Sequence, residues 1–446
     1  VNKIDTDKLD QLHEAIDTKG FNDAIKYMFD RVKVEEQIVD VTYTFKCFEH
    51  EGALALFQAV ENVIGHCDIT ASKGESGDEP PQLINVLLPN GEEIQIPFGT
   101  VRLPAFDKDS YLSMDYDWET VELSITGTIR MKFQYQVNDI MKEAQRILDT
   151  SSLYTGRAIN IEFDSNGNIE EPEFLDLSNI DESKILLCKE AKEGLVPILA
   201  RIRDTDRCIE EGLDLKYGVL LEGPYGTGKT LIAFLIAKLA VENGWTFIYL
   251  KDCKNLATTL KICENYTKSK KGIVVFTEDI DQAVRGNRDA AIQRILNTLD
   301  GGDTKNKAII SIFTTNHIEL IEPTFLRGKR IGGLISLGSL DKETALEFIN
   351  TLVIDNNGKS LIEANNRDAA AEALVGIVPA FASEIIDRAK AYMINRKASL
   401  ISANDIIIAA NSYKKQMEHA QLKQHNLKEN ELAAALKLIL TAGLQK

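Results

Sequence analysis

From residue 217 onward, short runs of apolar residues alternate with longer stretches in which apolar positions recur every three or four residues. The runs at 217–221, 245–250, 272–277 and 307–314 read as strands, and 229–241, 254–266 and 289–299 read as helices between them. Strands apolar throughout are covered on both faces, so this alternation predicts a parallel sheet sandwiched by helices. Residues 1–180 have another rhythm. Leu9, Leu12 and Ile16, then Ala24, Ile25 and Met28, predict two short helices broken at Gly20, and Leu54 to Ile64 predicts another. The Gly/Pro-rich stretch 71–81 reads as a mobile loop. Leu83–Leu88 and Glu92–Phe98 around Asn90-Gly91 read as a hairpin. Val121–Val137 alternates as one bent strand or two, with Gly127 at the break, and Asn138 caps a helix to Leu148. Ile159–Phe163 with the Asn166-Gly167 turn suggests a second hairpin. Residues 181–212 are helical and charged, with Pro197 inside.

Composition sharpens the division. The 446 residues are enough for two or three domains. Residues 1–180 hold 15 Lys/Arg against 34 Asp/Glu, whereas the remainder holds 36 against 34, so the net charge of −17 comes from the first part. An acidic unit without a basic patch does not suit nucleic acid and fits a basic protein surface better, or serves solubility alone. Six scattered cysteines without a C-x-x-C pair read as reduced and mostly buried. His13, His50 and His66 lack metal-ligand spacing. No leader-like run opens the sequence, and the longest apolar stretch, Leu231–Val241, is too short to span a bilayer, so the expectation is a cytoplasmic protein without membrane partners.

Four segments carry candidate chemistry. Gly223-Pro224-Tyr225-Gly226-Thr227-Gly228-Lys229-Thr230 lies between the strand 217–221 and the helix that continues with Leu231. This is G-x-x-x-x-G-K-[ST] in the strand–loop–helix context that a phosphate-binding loop requires. Its backbone N–H groups and helix N-terminus would hold the phosphates of ATP. Lys229 would reach the β- and γ-phosphates, and the Thr230 hydroxyl would ligate Mg²⁺. The strand Ile273–Thr277 ends in Glu278, Asp279 and, after Ile280, Asp281. One carboxylate there suits Mg²⁺ and another suits activation of the attacking water. Asn316, at the end of Ile309–Thr315, can hydrogen-bond the γ-phosphate or that water. Arg327 and Arg330 lie beyond the last core strand and can act in trans on a neighbouring subunit's γ-phosphate.

Together these segments resemble the AAA branch of the AAA+ ATPases, over residues about 185–410. By that resemblance Asn316 is sensor 1, Arg327 and Arg330 are arginine fingers, and residues 341–410 are a helical lid. Asn297–Gly301 resembles the family's Leu-Asp-Gly segment. Pro379–Ile386 lies where sensor 2 falls and carries no arginine, as in this branch. The implied fold is an α/β P-loop NTPase core at 181–340 and a lid at 341–411, followed by a helical tail at 412–446; the resemblance does not reach residues 1–180, whose pattern reads as an acidic α+β N-terminal domain. The tail's Leu432, Leu436, Ile439 and Leu440 suit docking on a neighbour or on its own lid.

Three departures stand out. The acids run Glu278-Asp279, where the family has Asp-Glu. One register gives Glu278 the Mg²⁺ role and Asp279 the base. A shift of one puts Thr277 at Mg²⁺ and makes Glu278 the base. The Glu-Asp order with Thr314-Thr315-Asn316-His317 is similar to the mitochondrial AAA translocase branch that exports a folded Rieske protein, and favours the first register. Thr258-Thr259-Leu260-Lys261 stands where the family's threading loop carries an aromatic, and Tyr225 stands where proline is frequent. The resemblance implies a Mg²⁺-dependent ATPase assembled as a hexameric ring that remodels, disassembles or translocates a protein client, and the acidic N-terminal domain would select that client. Two alternatives are a nucleic-acid motor, with Arg285, Arg288 and Arg294 lining a pore, and a nucleotide-gated scaffold with weak hydrolysis.

Overall fold

A computed structural model describes residues 18–65, 72–74, 77–103, 106, 110–251, 253–263, 271–281, 308–321, 331–354, 358–362 and 364–417. The predicted helix 289–299, the Leu-Asp-Gly segment, Arg285, Arg288, Arg294, Arg327, Arg330, His13, His66 and the tail beyond 417 lie outside them. The chain divides into two compact units. One is Val1–Phe174 with Thr258–Lys270; the other is Leu175–Ala257 with Lys271–Lys446.

In the first unit, α1 (Thr18–Glu35) is one continuous helix that runs through Gly20 rather than breaking there, while Leu9, Leu12 and Ile16 lie outside the described residues. Its core is an antiparallel sheet of β1 (Ile38–Lys46), β8 (Glu122–Arg130), β7 (Tyr111–Asp117) and β6 (Thr100–Val101), in that spatial order. Leu123, Ile125 and Ile129 of β8 are fully buried against α2 (Glu49–Ile64) and α3 (Gln134–Thr150), each worth roughly 1.5–3 kcal/mol of burial. Two expectations are corrected here. Gly127 is not a break; it sits within β8 opposite Val41, where a Cβ would lie 2.4 Å from the Tyr111 carbonyl oxygen. The alternating run also ends at Arg130, and a short 3₁₀ turn leads into α3 four residues before Asn138. The apolar positions of 131–137 thus serve a helix, because Val137, Ile140, Met141 and Ala144 form its buried stripe.

The predicted loop at 71–81 contains two three-residue strands, β2 (Ser72–Gly74) and β3 (Gly77–Glu79), paired antiparallel. The predicted hairpin is present as β4 (Gln82–Leu87) and β5 (Glu93–Phe98), with Gly91 in the left-handed region. The Asn166-Gly167 turn closes a single bridge between Phe163 and Ile169, and β9 (Ala158–Ile161) instead pairs with β10 (Glu173–Phe174). Nearby, the Glu171 carboxylate accepts from the Tyr154 hydroxyl and, at 3.3 Å, from the His50 backbone N–H. Burial among Glu49 and Glu51 pushes its carboxyl up to about 8. His50 is half-buried, its ring 3.7 Å from Glu171, so it helps pack this acidic site.

The second unit enters through α4 (Lys189–Arg203), which contains Pro197, and α5 (Thr205–Glu210). Five parallel strands follow: β11 (Tyr217–Glu222), β12 (Thr246–Leu250), β13 (Ile273–Thr277), β14 (Ile309–Thr315) and β15 (Gly333–Ser336). Their spatial order is β12-β13-β14-β11-β15. All residues of β13 and β14 are buried, as expected of strands covered on both faces. Between β11 and β12 lies α6 (Lys229–Glu242), whose Ile232, Ala233, Ile236, Ala237 and Ala240 are fully buried. Trp245 is also fully buried and donates its indole N–H to Thr205 Oγ1 at 3.1 Å. Of the helix expected at 254–266, α7 (Leu256–Cys263) is present, its residues from Thr258 on belonging to the first unit, and 264–266 lie outside the described residues. A helical layer completes the unit: α8 (Lys342–Leu352), α9 (Arg367–Leu374), α10 (Pro379–Asn395) and α11 (403–417), packed around Phe348, Ile349, Leu374, Ile385 and Ile406.

Candidate active site

The phosphate loop springs from the carboxyl end of β11, a central strand flanked by β14 and β15. Ligands of open α/β sheets bind at such ends. Two glycines shape it. Gly223 passes so close to β15's continuation that a Cβ would lie 2.0 Å from the Leu337 carbonyl oxygen. Gly228, at φ 92°, turns the chain through the left-handed region directly into α6. The loop is tied to the helical layer as well: Ala380 N–H, in the first turn of α10, donates to the Gly226 carbonyl at 3.1 Å.

Lys229 is buried, and its Nζ donates to Gly223 O at 2.6 Å, Pro224 O at 3.0 Å and Asn316 Oδ1 at 2.7 Å. Burial lowers its pKa, and the surrounding carboxylates, Asp279 foremost, oppose that. Asn316 passes the contact on: its Nδ2 donates to Asp279 Oδ1 at 2.7 Å. Asp279 itself sits at φ 46°, a conformation uncommon outside glycine, and its N–H is held by Thr314 Oγ1 at 2.9 Å. A second chain runs alongside. Thr230 Oγ1 donates to Glu278 Oε1, and the Tyr249 hydroxyl donates to Glu278 Oε2 at 3.0 Å. Asp281 is buried and accepts from Thr315 Oγ1 at 2.9 Å, so it braces β14 rather than facing a ligand. Thr277 is fully buried at the end of β13, and its hydroxyl has no hydrogen-bond partner among the described residues.

Lys229, Thr230, Glu278, Asp279 and Asn316 line a cavity of about 510 Å³. Its lining also includes the aliphatic residues Ile185, Leu187, Leu352 and Pro379. A lining with both phosphate-binding polar groups and apolar side chains suits a nucleotide, which carries a polyanion and an apolar ring. The pairing of a Thr hydroxyl with one carboxylate also suits Mg²⁺, a hard cation that keeps several waters and takes its remaining oxygens from phosphates. The cavity therefore brings together Gly226 to Leu231, Glu278, Asp279 and Asn316, with Gly223 and Pro224 shaping the loop through their carbonyls. Tyr249 and the Ile185–Leu187 wall are additions that the motif reading missed. An aromatic hydroxyl in a strand whose neighbours Phe247, Ile248 and Leu250 are apolar was the available signal for Tyr249, since the O–H of a tyrosine packed there needs a partner.

The family model for the ATPase family associated with various cellular activities (AAA) matches residues 219–339, which contain the loop and all the acids described above. Residues 219–339 thus carry an AAA ATPase domain. It is similar to the ATP-dependent zinc metalloprotease FtsH of Streptococcus pneumoniae serotype 4, 29% identical over 239 residues, or 50% of this chain and 36% of that protein. It is also similar to FtsH of Ureaplasma parvum serovar 3, 27% identical over 243 residues covering 51% of this chain and 33% of the relative. FtsH 3 of Sphaerobacter thermophilus is 26% identical over 303 residues, 61% of this chain and 59% of the relative. The chain thus spans only about a third of the first of these relatives.

Proposed function

We propose that this AAA+ ATPase is a ring motor that uses ATP hydrolysis to remodel or translocate a protein client, with a six-membered ring as the working form. The observation that carries the reading is the pair of separate chains in the cavity, Lys229–Asn316–Asp279 and Thr230–Glu278. Thr230 and Glu278 would hold Mg²⁺, which when bound supplies charge neutralisation between the β- and γ-phosphates. Asp279 accepts the proton of the attacking water. Asn316 fixes Asp279 on one side and meets the γ-phosphate on the other. Lys229, tethered to the loop carbonyls, neutralises the charge that spreads over the phosphoryl oxygens. The competing register, with Thr277 at Mg²⁺, is disfavoured by the enclosed position of that hydroxyl. Arg327 and Arg330 are proposed as the donors a neighbouring subunit supplies.

The acidic first unit is proposed to select the client, and a basic protein surface is the partner its charge suits. Handling of a client without aromatic threading is supported by α7. The positions expected to form the threading loop lie in this helix, with Thr259 and Leu260 buried. The deciding experiment is steady-state ATP turnover against protein concentration for wild type, Asp279→Asn and Glu278→Gln. Turnover per chain that rises with assembly and is abolished by Asp279→Asn supports the reading. Normal turnover in Asp279→Asn would transfer the base to Glu278, and wild type that binds ATP without hydrolysing it at any concentration would make the protein a nucleotide-gated scaffold.

A further inference from the structure

Glu278 has two carboxylate oxygens, and each has one partner in the site. Oε1 accepts from Thr230, the residue at the head of α6, and Oε2 accepts from Tyr249 at 3.0 Å. Tyr249 comes from β12, next to β13 and directly across the ladder from Phe276. Its ring is fixed independently of its hydroxyl, stacked on Phe276 with centroids 5.5 Å apart and edge-on to Phe234 at 5.9 Å. A rigid aromatic wedge thus delivers one O–H to one carboxylate oxygen.

The consequence follows from hydrogen-bond valence. A hydroxyl has one proton and two lone pairs. While Glu278 accepts the Thr230 proton, the lone pairs of Thr230 are left for a cation. If the carboxylate rotated away, Thr230 could turn its proton toward the cation position and oppose binding there. We propose that Tyr249 is a positioning residue for the Mg²⁺ half of the site, holding Glu278 so that Glu278 in turn orients the Thr230 hydroxyl. This rests on the assignment of Glu278 to Mg²⁺ rather than to base chemistry. Partners that orient a metal-binding carboxylate typically change metal affinity by about 10–100-fold when removed.

The test uses the full chain and the substitution Tyr249→Phe, which deletes the hydroxyl and keeps the stacked ring. ADP affinity is measured calorimetrically with and without MgCl₂, for wild type, Tyr249→Phe and Glu278→Gln, together with kcat and KM for ATP over a Mg²⁺ titration. The expected result is unchanged ADP affinity without Mg²⁺, which also reports an intact fold, and a Mg²⁺ requirement raised about 10-fold in Tyr249→Phe. Its kcat then recovers at high Mg²⁺, a rescue that a merely structural role would not give. If Glu278→Gln shifts the Mg²⁺ requirement and Tyr249→Phe does not, the role of Tyr249 is overturned and the assignment of Glu278 stands. If neither does, the assignment falls with it. Equal weakening of ADP with and without Mg²⁺ in Tyr249→Phe would mark the hydroxyl as structural and also overturn the proposal.

Discussion

Asn316→Ala is the sharpest perturbation of the hydrolytic half of the site. The amide spends both ends on charged groups: Oδ1 on the Lys229 ammonium and Nδ2 on the Asp279 carboxylate, each at 2.7 Å. Hydrogen bonds to charged groups contribute about 1.5–3 kcal/mol each where water cannot replace them. Lys229 keeps its two loop carbonyls after the substitution, so it remains anchored for nucleotide binding. Asp279 loses one contact that orients its carboxylate while it sits on strained backbone at φ 46°. With Asp279 as the base, as proposed, the loss falls on the transition state, and removal of one such preorganised group costs roughly 10²–10³-fold in kcat. The expectation is a kcat lower by about that factor with a KM for ATP within about 3-fold of wild type. Single-turnover hydrolysis alongside equilibrium ATP binding separates the two. Turnover within a few fold of wild type, or an equal loss in binding and turnover, would refute the reasoning.

Two further outcomes test the packing of each unit. Trp245→Phe deletes an indole N–H that is bonded to Thr205 and leaves a gap in a fully buried site, so the second unit should lose about 2–3 kcal/mol in urea unfolding. Glu171 has a folded pKa raised from 4.5 to about 8 by burial, so the folded protein holds a proton there that the unfolded chain releases. Its contribution is fully present below about pH 4.5 and is lost as pH rises toward 8. Glu171→Gln should remove that slope and leave the variant relatively more stable at pH 8 than at pH 5, by an amount on the order of 2–4 kcal/mol in pH-resolved thermal melts.

The nucleotide-binding half was legible because its signals are local and redundant. The loop from Gly223 to Thr230 carries its chemistry in consecutive residues, and the strands around it are apolar throughout, so period and motif agree. The first unit was harder to read for identifiable reasons. The run 121–137 has apolar residues at spacings that serve a strand up to Arg130 and a helix from Gln134, and only packing separates the two. Gly127 looks like punctuation in one dimension; in three it is the position where the Tyr111 backbone comes too close for a side chain. Tyr249 was missed because its partner, Glu278, is 29 residues away, just past the end of the neighbouring strand β13. The order Glu278-Asp279 left two registers open, and choosing between them needs to know which acid stands beside Thr230 and which beside Asn316.

The bond between Ala380 N–H and the Gly226 carbonyl makes the tip of the phosphate loop and the head of α10 parts of one mechanical joint. Whatever stiffens or tilts that helix must alter how tightly the loop grasps phosphate, and phosphate in the loop must push back on the helix by the same free energy, because such coupling is reciprocal. With no arginine in the segment Pro379–Ile386 to reach the nucleotide, this main-chain link gives the helix a direct line to the loop. Nucleotide state is then written into the pose of a helical layer, as a change of angle instead of a change of charge.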